Sequence, residues 1–268
     1  MSAELLHVLL ISLHTSPLEQ PGSGDAGGMN VYVRHLAEAL VAAGHTVDLA
    51  TLDRAPDAAR TAGVGTTAIR PGLRLRTVSL PGAAGAAKEQ LPAFTSAFAA
   101  VLRAEAPRPD VVHAHYWLSG AAGRELADEW RVPLVLTLHT TASGKNLRTR
   151  AGEGTEPASR ADAEAALLAR AEATVVNTRT EALQMVELYD AAPARLNVVT
   201  PGVDLSSITE LTDAKLEQGA RALAEAEVGL SERRRGIQHV MDALAAELGR
   251  RYRDGEADVA ALLADEGR

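Results

Sequence analysis

Short apolar runs alternate with amphipathic stretches over most of the chain. Residues 7–12 (HVLLIS) are almost continuously apolar, as a strand covered on both faces would be. Residues 29–43 then set Val31, Val33, Leu36, Leu40 and Val41 at helical spacing. The same reading predicts further strands over residues 46–52, 73–80, 110–115, 133–139, 173–177 and 196–200. It predicts helices over residues 91–104, 118–130, 161–171 and 181–189. Strands that lack a period of two and are separated by helices imply an α/β fold. The expectation is a doubly wound, Rossmann-like parallel sheet, with ligands held beyond the carboxyl ends of its strands.

The texture changes after Pro201-Gly202-Val203-Asp204, so the chain divides into residues 1–204 and 205–268. Residues 211–252 read as helix. Leu216, Leu223, Leu230, Ile237 and Leu244 recur at every seventh position, and Ala220, Met241 and Leu248 fall on the companion seam. Such a repeat predicts an α-helical coiled-coil or hairpin tail. Gly219, Gly229, Gly236 and Gly249 each weaken a helix by about 1 kcal/mol relative to Ala, so the tail needs a partner helix. Asp254-Gly255 interrupts the pattern before a short terminal helix over residues 259–263.

Composition narrows the function classes. Of 268 residues, 46% are hydrophobic and 23% charged, a globular balance, while only 3% are aromatic, so aliphatic side chains must build the core. The absence of cysteine excludes disulfides and thiolate metal sites. A formal net charge of -8 argues against a basic nucleic-acid-binding surface. No apolar stretch reaches the roughly 20 residues that a membrane span needs. The first residues carry Glu4 and no basic segment, so they read as a buried strand rather than a signal peptide, and a cytoplasmic protein is expected.

The loop Gly22-Ser23-Gly24-Asp25-Ala26-Gly27-Gly28 contains a GxGxxG string. A dinucleotide fingerprint needs its glycines directly after the first strand. Here His14 to Pro21 intervene, and Asp53 comes too late to be the ribose acid. An NAD enzyme is therefore not the reading. Gly27 and Gly28 do allow backbone N–H groups ahead of a helix to approach an anion, although a surface turn has the same composition. Polar residues also gather at strand ends: His14 after the first, His113, His115 and Tyr116 after another, His139, Thr140 and Thr141 after a third. His113 reads as a satisfied core histidine. No spacing with a supporting carboxylate suggests a metal site.

These residues carry a resemblance. His14-Thr15-Ser16-Pro17 and the stretch from Gln20-Pro21 through Asn30-Val31-Tyr32 are similar to the amino-terminal half of the D-inositol-3-phosphate glycosyltransferases of mycothiol biosynthesis, which are retaining, family 4, GT-B enzymes. His113-Ala114-His115-Tyr116-Trp117-Leu118-Ser119-Gly120, Leu138-His139-Thr140, Lys145-Asn146, Glu156-Pro157 with Arg160, and Pro201-Gly202-Val203-Asp204 continue the match over residues 5–204. The resemblance implies transfer of N-acetylglucosamine from UDP-N-acetylglucosamine (UDP-GlcNAc) to inositol phosphate. It places Lys88, Tyr116, Thr140 and Arg160 on the acceptor phosphate, and His14 with Asp25, Ala26, Gly27, Gly28, Met29 and Asn30 around the inositol. Gln20, Pro21 and Gly28 would lie against the donor, with His139 near the transferred sugar. Read without the resemblance, Lys88 and Arg160 are solvated surface charges. No second Rossmann pattern follows Asp204, so an acceptor site with one wall of a donor site is expected, and transfer by this chain alone is left open.

The tail carries a second pattern. Glu227, Ser231, Arg234, Gln238 and Asp242 fall within roughly 80° on one helix face. Such a stripe could read guanine edges and phosphates, or be a salt-bridged coiled-coil face. The spacing resembles RsiG-type anti-sigma factors, which are actinobacterial helical hairpins. That resemblance implies a cyclic di-GMP ligand and a sigma-factor partner. A single copy of the motif implies a homodimer through the tail. The alternative to the transferase is thus a regulatory binding protein.

Overall fold

The computed structural model describes residues 5–20, 22, 27–55, 61–149 and 154–202. The chain divides between Pro201 and Gly202 into two units, and every strand and helix among the described residues belongs to the first. The tail residues Glu227, Ser231, Arg234, Gln238 and Asp242 lie outside the described residues.

Among the described residues, eight strands form one sheet in the order β3-β4-β2-β1-β5-β6-β7-β8. They are β1 (His7–Ile11), β2 (Thr46–Leu52), β3 (Gly63–Arg70), β4 (Leu73–Ser79), β5 (Val111–His115), β6 (Leu134–Thr137), β7 (Ala173–Val176) and β8 (Leu196–Val198). The helices are α1 (Gly28–Ala42), α2 (Thr95–Glu105), α3 (Trp117–Trp130), α4 (Ala142–Asn146), α5 (Ala158–Arg170) and α6 (Arg179–Tyr189). Val8 to Ile11 of β1 are all apolar because both faces of the sheet are covered. Val8 and Leu10 pack with Val33 and Ala37 of α1, while Leu9 and Ile11 belong to a larger cluster with Phe98 and Leu102 of α2 and Leu126 of α3. Helix α3 lies close to the sheet at Gly123, where a Cβ would come within 3.1 Å of the Ala114 Cβ.

Two differences from the sequence reading stand out. Strand β3 was not anticipated, and it pairs antiparallel with β4, so the sheet is mixed rather than wholly parallel. Its sequence, GVGTTAIR, is exposed for most of its length and carries no apolar face to betray it. The local signal was Pro71-Gly72, where Gly72 turns the hairpin at φ +80°. The helix read over residues 91–104 is instead a 3-10 helix, Lys88–Phe94, containing Pro92, followed by α2. Proline has no N–H to donate and disfavours α geometry in the residue before it.

A buried ion cluster ties three strands together. Asp48 on β2, 1% exposed, accepts from Arg74 Nε at 2.7 Å and Arg76 Nε at 2.6 Å on β4, and lies 3.2 Å from His7 Nε2 on β1. Burial pushes its pKa upward, but the hydrogen bonds from His7, Arg76 and Arg74 outweigh this and bring it to about 2. The folded value lies below the unfolded one. Stability from this group is therefore complete above about pH 4 and is lost as pH falls towards 2. The urea midpoint is expected to drop across this window, and to drop less in Asp48→Asn.

Candidate functional site

The strand order reverses between β1 and β5: β2 and β4 lie to one side, β6 to β8 to the other. Open α/β sheets bind ligands at such a switch point, beyond the carboxyl ends of the strands. His14, just past β1, and Tyr116, just past β5, meet there with ring centroids 4.6 Å apart.

Tyr116 is held in an unusual conformation. Its N–H donates to Thr137 O at 2.8 Å, prolonging the pairing of β5 with β6, while its own carbonyl accepts from Gly120 N at 2.9 Å and opens α3. Turning from strand to helix within one residue forces φ 77°, ψ 155°, a region otherwise left to glycine. The strand end at β6 is strained too. His139 has φ 61°, and Thr140 N donates across it to Leu138 O at 2.7 Å, a γ-turn of the rarer hand. Strain of this kind costs about 1–3 kcal/mol per residue and clusters where geometry serves function.

Lys88, Arg160 and Thr140 gather around Tyr116. Lys88 Nζ lies 5.1 Å from its ring centroid and Arg160 Cζ 4.8 Å. Arg160 Nη2 donates to Thr140 O at 3.0 Å and reaches Thr140 Oγ1 at 3.4 Å. Arg160 is not a surface charge. It is 2% exposed, its Nε bonded to Glu164 at 2.7 Å and its Nη1 to Glu156 at 2.8 Å. Glu164, wholly buried, also accepts from Ala142 N and from Tyr189 Oη. Glu156 bridges onward to Lys145 at 2.7 Å. Lys88 is half-buried, and its segment is placed by Arg54. Arg54 donates through Nε and Nη2 to Ala86 O and through Nη1 to His14 O. Sequence reasoning gave Arg54, Glu164 and Tyr189 no role. The i,i+4 spacing of Arg160 and Glu164 was the available signal, but exposed pairs share it.

The remaining candidates divide. Asn30 is buried, and its amide donates to Thr15 Oγ1 at 2.8 Å and Ser16 O at 2.6 Å while its Oδ1 accepts from Gly27 N at 3.0 Å. It shapes the loop instead of offering its side chain outward. Met29 is partly buried and packs against both core clusters. Gly28 is exposed at the start of α1 with open space where a side chain would stand, and Gln20 is exposed. Pro21, Asp25 and Ala26 lie outside the described residues.

His113 Nε2 lies 2.9 Å from Thr137 Oγ1, in keeping with a satisfied core histidine. Burial lowers the pKa of His113 to about 3, with the neighbouring His139 charge adding to it, and lowers His139 to about 4. Burial, then the charges of His113 and His139, holds His115 well below the ordinary value. All three are neutral when folded at pH 7, whereas their unfolded forms protonate near pH 6.5. Stability they contribute is therefore complete above about pH 6.5 and is lost as pH falls towards 4. The urea midpoint is expected to decline steadily below pH 6.5. A midpoint unchanged down to pH 5 would exclude buried neutral imidazoles.

Residues 27–202 match the family model described as a glycosyl transferase 4-like domain. The chain belongs to the glycosyl transferase 4-like family. A second model, described as RsiG-like, matches residues 202–266. The D-inositol 3-phosphate glycosyltransferase of Salinispora arenicola is 42% identical over 231 residues, covering 84% of this chain and 50% of that protein. The Corynebacterium jeikeium protein of the same name is 40% identical over 256 residues, covering 91% and 60%. The chain thus spans 50 to 60% of the length of these curated relatives. Sucrose-phosphate synthase from Thermosynechococcus elongatus superposes with a TM-score of 0.65 at 25% identity, over 74% of this chain and 49% of that one. The described unit of this family 4-like chain has the Rossmann-type fold of a single GT-B lobe. None of its described helices is long and apolar enough to cross a membrane.

Proposed function

We propose that residues 1–204 form the acceptor-binding domain of an inositol-phosphate glycosyltransferase. The observation that carries this reading is the convergence of Lys88, Tyr116, Thr140 and Arg160 at the switch point. Two cations and two hydroxyls match a phosphate dianion through charge-assisted hydrogen bonds. The inositol ring lies towards His14 and the loop before α1. The donor, UDP-N-acetylglucosamine, lies along Gln20, Pro21 and the Gly28 backbone, with its sugar at His139. In transfer, the bond from the anomeric carbon to the leaving phosphate breaks and a bond to the inositol oxygen forms on the same face. The hydroxyl proton passes to the leaving phosphate oxygen. The protein supplies position and charge stabilisation.

Release of UDP by the purified chain, dependent on both UDP-N-acetylglucosamine and inositol 3-phosphate, tests transfer. No release dependent on both would confine the chain to acceptor binding. Lys88→Ala removes one charge-assisted bond of about 1.5–3 kcal/mol, so inositol phosphate affinity is expected to fall about 10- to 150-fold in calorimetry, with the urea midpoint little changed.

The RsiG-like match over residues 202–266 supports a second reading, in which residues 205–268 bind cyclic di-GMP between two chains and engage a sigma factor. Cyclic di-GMP is then expected to raise the dimer fraction in sedimentation, and Arg234→Ala to abolish the rise. A sedimentation profile indifferent to the nucleotide would contradict it.

A further inference from the structure

The proposed chemistry uses only one of three histidines that stack behind the strand tips. His113 and His115, two apart on β5, share a face of the sheet, with ring centroids 4.2 Å apart. His115 Nδ1 lies 3.0 Å from Nε2 of His139. The ring of Tyr32 meets both imidazoles edge-on, 5.9 Å from His115 and 5.2 Å from His139. Both imidazoles are neutral at pH 7, so each carries one N–H, and one of the two facing nitrogens must donate to the other.

The far side of His115 decides which one donates. Its Nε2 is fully buried with no hydrogen-bond partner. If His139 were the donor, the His115 proton would sit on Nε2 as a buried N–H with no acceptor. If His115 is the donor, the same atom is only an unmatched lone pair. Buried orphan N–H groups are the rarer of the two. Among the described residues, Nδ1 of His139 has no hydrogen-bond partner, and the half-buried ring leaves it available to a ligand.

We propose that His115 is a positioning residue: its Nδ1–H donates to Nε2 of His139 and fixes His139 in the Nδ1–H tautomer, presenting a neutral donor to an oxygen of the transferred sugar. This rests on the sugar-transfer reading of the site. Free imidazole side chains favour the Nε2–H form, so the pair reverses the default. A neutral donor suits a hydroxyl or carbonyl oxygen, whereas the phosphate falls to Lys88 and Arg160. The γ-turn at His139 and the T-shaped contact of its ring with Tyr32, centroids 5.2 Å apart, help to restrain that ring.

Long-range proton–nitrogen correlation spectra of the full chain, labelled with 15N-histidine at pH 7, report the tautomer directly. The expected result is a protonated-type Nδ1 and an unprotonated-type Nε2 for His139. His115→Phe keeps a ring but removes the donor, and His139 is expected to revert to the Nε2–H form. His115→Asn places an amide N–H where Nδ1 stood and is expected to restore the wild-type pattern. An Nε2–H tautomer in the wild type, or an unchanged Nδ1–H in His115→Phe, would overturn the proposal. The spectra need no ligand, so failure of inositol phosphate to bind would sink the sugar-transfer reading without altering the tautomer result.

Discussion

Replacing Arg160 by alanine is expected to cost the domain about 3–5 kcal/mol and to abolish measurable inositol phosphate binding. The stability loss comes from what is left behind. Glu164 is wholly buried, and its Oε1 would face the interior without its counter-charge. Because such a loss is a large part of the roughly 5–15 kcal/mol that holds a domain together, the variant could fail to fold. A second variant separates the two effects. Arg160→Met combined with Glu164→Gln removes both charges, and Met fills much of the space of the arginine stem. Neutral replacement of a buried pair is often tolerated, so most of the stability should return in a urea titration. Binding should not return, because the guanidinium beside Tyr116 is gone. If the double variant binds like the wild type, Arg160 is a structural residue alone.

The second large effect concerns Tyr116. Truncating its buried ring is expected to cost about 3–5 kcal/mol, whatever small residue replaces it. The order of two truncations is the informative part. Tyr116→Ala keeps the strained φ 77°, ψ 155°, whereas Tyr116→Gly adopts it freely. The glycine variant is therefore expected to be the more stable by about 1–2 kcal/mol, after the greater chain entropy of glycine is subtracted. The reverse order in thermal or urea unfolding would show that no strain is stored there. Tyr116→Phe keeps ring and strain, and is expected to weaken phosphate binding while leaving stability near that of the wild type.

The central strands were legible because burial on both faces leaves little but apolar residues in them, as at Val8, Leu9, Leu10 and Ile11. Strand β3 was not, because an exposed edge strand is specified by its pairing with β4 and not by an apolar face of its own. His14, Tyr116, His139 and Thr140 could be picked out as polar residues at strand ends. Lys88 and Arg160 could not be placed from composition, since neither follows a strand. Lys88 depends on Arg54 clamping Ala86, and Arg160 on a carboxylate that only folding buries. The contact of His115 with His139 follows from the pairing of β5 with β6, in which His115 stands opposite Thr137. Spacing within one segment does not contain that register.

The proposed function requires that the residues at the meeting of β1 and β5 recognise a phosphate ester. Calorimetry of the chain with inositol 3-phosphate, run beside unphosphorylated inositol, tests this most directly. The predicted result is saturable heat with the ester and none with the parent polyol at the same concentration. No heat with the ester at millimolar concentration, or equal heats with both, would contradict it.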